Sequence, residues 1–472
     1  MERWSRASLC KVASVALLAL VSSWLPDSAA FAAGGEEELR LKLQEFDERL
    51  KKLEHEQAEK TVQLSEAGDR EQATQKNELQ ELRQQLDILA AEIERLRSGE
   101  RLVEVSPDQA RALGLAPSAA STYRKERGVS IAGYGEMLYQ NFDSSNEGKT
   151  PTNRGSQFDF LRAILYAGYR FNDKVVFNSE IELEHTDEIS LEFAYIDYLA
   201  KPYLTFRGGL LLIPMGLTNE FHEPNVFLGS LRPQTETRIL PSTWRENGFG
   251  VLGSAGMLSY RAYLVNGLNA AGFTSDGLRG GRQKGGEAKS SDMAFVGRLD
   301  VSPTPGVFFG GSFYTGNSGQ GQFLAGGRQL GVRTNIGELH GQVQVRGFDL
   351  RGLYARAVLD DVAELNAARS LAGQSSIGEA QHGGYLQFGY NLLARRSENV
   401  RVTPYYRFEK LNTQARVPLG FVVDPARDRT FHTFGFEFRP IYNVVVKSDY
   451  QWTRNQARTG LNQLNLVLGY SF

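Results

Sequence analysis

The chain has 472 residues, with 53 Lys and Arg against 55 Asp and Glu, and a formal net charge of −2 at pH 7. This near balance excludes a strongly basic nucleic-acid-binding protein, and a single Cys excludes both an internal disulfide and a Cys-based zinc site. High Gly content (49 residues) together with 19 Tyr and 27 Phe favours β structure over a helical membrane protein.

Residues 1–32 have the organisation of a secretory signal peptide. Basic residues precede a short apolar run from Val12 to Val21, and small residues at 30 and 32 form a cleavage pattern before Ala33. Such a run is too short to span a bilayer, so it is not a membrane anchor. We expect an exported protein that loses Cys10 together with the signal.

Residues 33–100 predict a periplasmic α-helical coiled coil. The segment is rich in Glu, Gln, Lys, Arg and Leu, and its apolar residues are spaced alternately by three and four. They form two sets: Leu39, Leu43, Phe46, Leu50 and Leu53, and then Leu79, Leu82, Leu86, Leu89, Ile93 and Leu96. The pattern favours self-association over a single solvated helix. Residues 101–127 contain Pro107, Pro117 and small residues, which predicts a linker.

From residue 128 to residue 472 the hydrophobic period changes to two. In the last stretch Leu464, Leu466 and Leu468 alternate with Asn465, Val467 and Gly469. A soluble sandwich also alternates, but these apolar stretches of about 9–12 residues suit a tilted membrane span. Short and long connectors alternate between sixteen predicted strands, as they do in bacterial outer-membrane barrels. The predicted fold is therefore all-β and transmembrane: a 16-stranded antiparallel outer-membrane β-barrel, preceded by the coiled coil.

The predicted strands begin near the following positions: Val129, Gln157, Val175, Ile189, Tyr203, Gly248, Met257, Ala294, Val307, Glu338, Phe348, Gly384, Asn399, Thr430, Asn443 and Leu461.

The end of the chain resembles the assembly signal of outer-membrane barrels. Leu468, Tyr470 and Phe472 place apolar and aromatic side chains at alternate positions of the final strand. We expect this strand to be recognised by the barrel-assembly machinery, and the outer face of the barrel to contact outer-membrane lipid.

A barrel of sixteen strands is too wide to be filled by wall side chains alone, so the default expectation is a water-filled channel. Residues 214–247 combine apolar and charged side chains, which predicts a loop folded into the lumen as a constriction. The alternative is that the charges pair with each other and only hold the loop in place. The candidate pore residues are Glu180, Glu182, Glu184, Glu192, Arg162, Arg207, Glu220, His222, Glu223, Arg232, Arg238 and Arg245.

The barrel resembles the phosphate-selective porin O and P superfamily, and the preceding coil resembles its DcaP-like members. Four segments carry the likeness: Gly133-Tyr134-Gly135-Glu136, Gly209–Gly216 (GLLLIPMG), Asn219–Pro224 (NEFHEP) and Pro241–Gly248 (PSTWRENG). The resemblance implies a homotrimeric porin whose third long loop folds inward. Residues 214–247 contain no Lys and have balanced charges, so phosphate selectivity is not carried over.

Three functions compete at this point. The favoured one is passive diffusion of small hydrophilic, anion-leaning solutes through a channel in the outer membrane, with the coil in the periplasm. The alternative is a structural envelope protein whose barrel anchors a coil that contacts the cell wall. Catalysis is disfavoured because the His residues lie in unrelated segments without a His-Glu-x-x-His pattern. No cofactor, metal or nucleic-acid partner is expected, and His222 is interpreted as a hydrogen-bonding partner.

Overall fold

The structure, a computed structural model, describes residues 44–45, 47–55, 107–125, 127–324, 326–397 and 399–472. The predicted signal peptide and most of the predicted coil lie outside these residues. Residues 47–55 are helical, and Lys51 Nζ lies 2.7 Å from Asp47 Oδ2 one turn away. Within the described part of the chain, no helix is long and apolar enough to cross a membrane.

Sixteen antiparallel strands close into one barrel in the described part of the chain, which confirms the predicted fold class. Their bounds are β1 (Gly128–Phe142), β2 (Gln157–Arg170), β3 (Val175–Glu184), β4 (Glu188–Lys201), β5 (Leu204–Leu212), β6 (Arg245–Ala255), β7 (Leu258–Asn266), β8 (Met293–Thr304), β9 (Val307–Asn317), β10 (Arg333–Val345), β11 (Phe348–Leu359), β12 (Ala380–Tyr390), β13 (Arg401–Arg416), β14 (Asp428–Ile441), β15 (Val444–Asn455) and β16 (Gln463–Ser471).

Three α-helices accompany these strands: α1 (Pro107–Ala112), α2 (Gln234–Arg238) and α3 (Val362–Ala368). Short 3₁₀ turns cover Ala119–Arg124, Ala270–Gly272, Arg279–Gly281 and Pro425–Arg427.

The barrel closes where β1 pairs with β16. Gly133 and Phe472 exchange two backbone hydrogen bonds, of 3.0 and 2.9 Å, and the ladder continues from Tyr134–Ser471 to Phe142–Gln463. Every other pairing joins strands that are consecutive in sequence. An even number of antiparallel strands brings the two ends of the sheet to the same rim, so closure leaves no unpaired edge.

Side chains alternate between two environments, as the period of two predicts. Large apolar residues face outward and are about half or more exposed, including Phe206, Phe249, Phe309, Leu339, Leu386 and Phe434. The inward-facing charged residues are buried: Glu136, Arg162, Glu180, Glu182, Glu192, Arg207, Arg261, Arg298, Asp300, Arg407, Glu409, Glu437, Lys447 and Asp449. An apolar outer band with most strand charges on the interior is the pattern of a barrel that faces lipid.

Connectors alternate between short and long, with two exceptions. One rim carries short turns such as 202–203, 256–257 and 346–347, and the other carries 213–244 and 267–292 among its longer loops. The first exception is the three-residue turn at 185–187 on the long-loop rim, which the sequence also indicated, and the second is the ten-residue connector 391–400 on the short-turn rim.

Three strand starts were predicted too late. β6 begins at Arg245 instead of Gly248, β10 at Arg333 instead of Glu338, and β12 at Ala380 instead of Gly384. The ladder continues through residues without apolar alternation because these strand ends lie against folded loops. As a result Arg245 belongs to the barrel wall, where it pairs with Leu212, and not to the loop.

The predicted linker is folded where the structure describes it. Between α1 and the 3₁₀ turn, the side chains of Leu115, Ala119 and Ala120 are buried. Asn178 of β3 donates a 2.9 Å hydrogen bond to the carbonyl of Ala119, and Arg170 of β2 donates one of 2.8 Å to the carbonyl of Tyr123. Residues 107–125, which we call the inner segment, therefore pack against the inner wall instead of forming an open connector.

Candidate functional site

The connector between β5 and β6, residues 213–244, runs across the barrel interior and is called the inward loop. Its apolar residues Ile213, Met215, Leu240 and Trp244 are fully buried, which explains the apolar content that is unusual for a water-exposed loop. Its polar groups bond to inward-facing side chains on opposite sides of the wall, so the loop spans the lumen.

On one side of the barrel, wall carboxylates hold the loop by accepting hydrogen bonds from its backbone N–H groups. Glu409 of β13 accepts hydrogen bonds from the backbone of Gln234 (3.0 Å) and Thr235 (2.5 Å) at the start of α2. Asp449 of β15 accepts one from the backbone of Ser230 at 2.7 Å. Lys447 donates to the carbonyl of Phe227 at 2.8 Å. These are charge-assisted bonds in a dry interior, and they fix the loop backbone.

Glu236 fastens the loop to itself and to the wall. One carboxylate oxygen accepts hydrogen bonds from the backbone of Leu217 (2.8 Å) and from the backbone (2.6 Å) and side chain (2.9 Å) of Thr218. The other oxygen accepts a 2.6 Å bond from the hydroxyl of Tyr385 on β12. Glu236 is therefore a structural anchor.

Most acidic pore candidates lie on the opposite side of the wall, where they are buried and paired. His222 of the inward loop places Nε2 3.2 Å from Glu180 Oε1 and 3.0 Å from Glu192 Oε2. Arg162 lies 3.5 Å from Glu182, and Arg245 lies 3.7 Å from Glu192. Glu180 and Glu192 have no exposed surface. We call this group the acidic cluster.

Two further candidates, Arg207 and Glu223, pair with neighbouring residues. Arg207 forms a bidentate ion pair with Asp197 at 2.8 Å, and Tyr123 of the inner segment donates to the same carboxylate. Glu223 accepts hydrogen bonds from the backbone and the hydroxyl of Ser118 at 3.2 and 3.1 Å. Both carboxylates and the guanidinium are buried, so these candidates hold the inner segment.

Glu220 joins the loop to β7 and β8. Its carboxylate lies 3.3 Å from Arg261 and 3.5 Å from Arg298, and both guanidinium groups also contact Asp300. Glu184 ends β3 at the rim and is partly exposed, with its carboxylate 4.0 Å from His185. Only Glu184 among the acidic candidates keeps a third of its side chain accessible.

The basic candidates of the loop have a different environment. Arg232 and Arg238 are half-buried, and Arg238 lines a cavity of about 400 Å³. The other charged residues around this cavity come from the connector between β7 and β8: Asp276, Arg279, Arg282 and Lys284. Four cations and one carboxylate line the space, which we call the basic cavity.

The connector that supplies these cations, residues 267–292, also folds against the inward loop. Leu268, Phe273 and Leu278 are fully buried, and the backbone N–H of Leu278 donates to the carbonyl of Arg238 at 2.9 Å. Arg282 donates to the carbonyls of Thr243 and Arg279. The guanidinium positions are thus set by backbone contacts between two loops.

The electrostatics of the cavity reflect an excess of positive charge. Burial and then the neighbouring Arg282 lower the pKa of Arg279 below the ordinary arginine value. Burial, Arg282 and Arg245 likewise lower the pKa of Lys284. Although burial alone would raise it, Arg429 and Arg238 hold the pKa of Asp276 below its usual range. The cations repel one another, and Asp276 compensates them only in part.

Sequence reasoning missed Arg279, Arg282 and Lys284. They lie in a Gly-rich connector that resembles an ordinary external loop. The acidic candidates were predicted because they alternate with apolar residues along β3. A signal was available in the sequence. The connector places the apolar residues Leu268, Phe273 and Leu278 beside charged residues, and a similar mixture predicted the inward course of residues 214–247.

Comparison with other sequences finds one clear relative in a curated set. An uncharacterised protein of Aquifex aeolicus is 36% identical over 353 residues, which cover 71% of this chain and 78% of that protein. No family model matches the sequence.

Comparison with solved structures finds bacterial outer-membrane proteins at low sequence identity. The outer-membrane channel DcaP of Acinetobacter baumannii has a TM-score of 0.48 at 12% identity, covering 74% of this chain and 98% of that one. A loop-deletion form of OmpT of Vibrio cholerae gives 0.47 at 10%, covering 74% and 100%. An anion-selective porin of Comamonas acidovorans gives 0.45 at 11%, also covering 74% and 100%.

Proposed function

The chain belongs to the same protein family as the uncharacterised protein of Aquifex aeolicus, and we propose that it is a porin. It forms a channel in the outer membrane for passive diffusion of small hydrophilic solutes, leans towards anions, and has no enzymatic activity. The inward loop is the constriction, and the basic cavity is the part of it that selects solutes.

The observation that carries this proposal is the uneven distribution of accessible charge across the barrel interior. The acidic cluster is buried among its own partners, whereas the basic cavity keeps open volume beside four cationic side chains. A solute that enters the interior therefore meets positive charge. Low-dielectric walls strengthen that potential and raise the local concentration of anions.

The detailed chemistry of the cavity fits an anionic group. Arg279 Nη1 is buried and, among the described residues, has no hydrogen-bond partner. Arg238 and Arg282 supply further guanidinium donors, which match the planar oxygens of carboxylates and phosphates. A ring of Arg and Lys side chains is a known basis for anion selectivity in pores.

The test is ion conduction through the purified full-length protein in a planar bilayer with a KCl gradient. The wild type should conduct, with a reversal potential on the anion-selective side. Changing Arg279→Gln and Arg282→Gln together should lower the anion-to-cation permeability ratio by roughly three- to tenfold, because two charges leave the cavity. Lys289→Gln is the matched control, since this exposed residue of the same connector does not line the cavity.

Two outcomes would contradict the proposal. A folded protein that does not conduct would rule out a channel. An unchanged anion-to-cation permeability ratio in the double variant would rule out the basic cavity as the selecting element.

Several finer features belong to the same proposal. Residues 33–100 form a periplasmic coil that assists assembly of a homotrimer, which is supported by the two apolar seams. Membership of the phosphate-selective porin O and P superfamily is supported by the inward course of the loop after β5. Recognition of β16 by the assembly machinery is supported by the outward, exposed side chains of Leu468, Tyr470 and Phe472.

A further inference from the structure

The acidic cluster contains three side chains of metal-ligating type, those of Glu180, Glu192 and His222. The two glutamates have no exposed surface. One donor atom from each of Glu180, Glu192 and His222 lies within 4.8 Å of the other two. Two come from adjacent wall strands, β3 and β4, and the third comes from the inward loop. The site is therefore a junction between wall and loop, separate from the basic cavity.

The orientation of His222 is that of a metal-binding imidazole. Nδ1 lies 2.9 Å from the backbone carbonyl of Asn219, which accepts only, so Nδ1 carries the proton. Nε2 then points between the two carboxylates. Metal-ligating His residues commonly donate one ring N–H to a backbone carbonyl, which fixes the tautomer and turns the other nitrogen to the ion.

The carboxylates have unused oxygen atoms. Among the described residues, Glu180 Oε2 has no hydrogen-bond partner, and the oxygens of Glu192 have only ion-pair contacts, to His222 at 3.0 Å and to Arg245 at 3.7 Å. Both side chains are fully buried. Burying a carboxylate oxygen without a donor is costly unless a cation compensates it.

Carboxyl groups outnumber cationic side chains around the site. Contacts of less than 4 Å link the carboxyl groups of Glu136, Glu180, Glu182 and Glu192 to two guanidinium groups, those of Arg162 and Arg245, and to the imidazole of His222. This surplus of carboxyl groups favours a bound cation.

We propose that Glu180, Glu192 and His222 bind a divalent first-row transition-metal cation, such as Mn²⁺ or Zn²⁺, that fastens the inward loop to β3 and β4. One imidazole nitrogen with two carboxylates suits these ions, since Mg²⁺ and Ca²⁺ prefer all-oxygen ligands. The proposal does not depend on conduction or on ion selectivity.

His340 provides an internal comparison because it is also a buried His between two carboxylates. Its Nδ1 lies 2.9 Å from Glu338 Oε2 and its Nε2 lies 2.8 Å from Asp300 Oδ1. Both ring nitrogens are therefore occupied by carboxylates, and Arg298 also contacts Asp300. This arrangement satisfies an ion pair and leaves no nitrogen for a metal.

The experiment uses the full-length protein folded in detergent, stripped with a chelator, loaded with Mn²⁺ alone and freed of excess ion. Wild type should retain about one Mn²⁺ per chain by elemental analysis, with nitrogen coupling from one imidazole in pulsed electron paramagnetic resonance. Glu192→Gln and His222→Gln should retain less than about a tenth of that amount, and His340→Gln should retain the wild-type amount. Zn²⁺ competition should displace the Mn²⁺ signal.

The folded state of each variant is checked by its migration in unheated gels, and Glu180→Gln serves as a second ligand variant if either of the others fails to fold. Wild-type protein without bound Mn²⁺ or Zn²⁺ would overturn the proposal and leave a protonated His222 that bridges two carboxylates. Equal Mn²⁺ content in wild type and in the folded ligand variants would also overturn it.

Discussion

The acidic cluster and the basic cavity lie along the same inward loop, yet their charged side chains have different environments. Glu180 and Glu192 are fully buried against His222, whereas Arg238 and Lys284 line an open volume of about 400 Å³. The comparison teaches that charge in a barrel interior is not by itself a selectivity filter. Charges buried in pairs position the loop, and in the proposed channel the charges that border open volume are the ones available to a solute.

The difference follows from what each group touches. The inner segment covers β2, β3 and β4 from inside, through contacts such as Asn178 to Ala119 and Tyr123 to Asp197, and so buries the charged side chains on that side. The basic cavity lies between the inward loop and the connector 267–292, and these two loops leave open volume between them. Burial strengthens pairing on the first side, and repulsion between like charges keeps the second side open to an anion.

The largest expected effect is the loss of stability when the acidic side loses a charge. In chelator-treated protein, Glu192→Ala leaves Arg245 without its carboxylate and His222 with Glu180 alone, and should lower the free energy of unfolding by about 3–5 kcal/mol. Arg279→Ala on the basic side relieves repulsion and should change it by less than about 1 kcal/mol. Guanidinium-induced unfolding in detergent measures both. An equal decrease in the free energy of unfolding in the two variants would contradict the distinction between the acidic cluster and the basic cavity.

A second effect is expected when the cover over the acidic side is removed. Deleting residues 107–124 should increase single-channel conductance severalfold and shift selectivity towards cations, because carboxylates near β3 and β4 become accessible. Tyr123→Phe is the matched control, since it loses one hydrogen bond to Asp197 and keeps the segment in place. A deletion variant with unchanged conductance and selectivity would show that the inner segment does not cover the pore lining.

The smallest expected effect is a pH dependence confined to the basic side. Because burial, Arg282 and Arg245 lower the pKa of Lys284, its ammonium loses its proton at a lower pH than an ordinary Lys. Positive charge therefore falls as pH rises from 7 to 10, and the anion preference should decline by up to about twofold over that range. Lys284→Arg keeps its charge and should flatten the decline. An identical decline in both proteins would place the titrating group elsewhere.

Local patterning predicted much of the architecture. Alternation across β3 and β16 set which side chains face lipid, because successive residues of a strand point to opposite faces. The apolar content of residues 214–247 predicted a loop folded into the lumen as a constriction; the structure buries Trp244 and Ile213 of this segment, and the constriction itself stays a prediction. The fold and the position of the loop were therefore accessible from sequence.

The candidate site was accessible only in part. Arg238 was named as a pore residue and lines the basic cavity, but Arg279 and Arg282 were missed because their connector has no strand periodicity to mark it. Arg207 and Glu223 were named as pore residues, whereas the structure pairs them with Asp197 and Ser118. Partner identity depends on which distant segments meet inside the barrel, and that is not a local property.

Taken by itself, the sequence determined that this protein is a closed, lipid-facing barrel, since a period of two over sixteen segments has few other solutions. Only the tertiary structure decided the use of each inward charge. The inner segment and two loops enter the lumen, and their long-range contacts determine which carboxylates are neutralised and which guanidinium groups border open space. The physical reason is that burial and pairing are set by three-dimensional proximity, whereas strand parity is set by the geometry of the backbone.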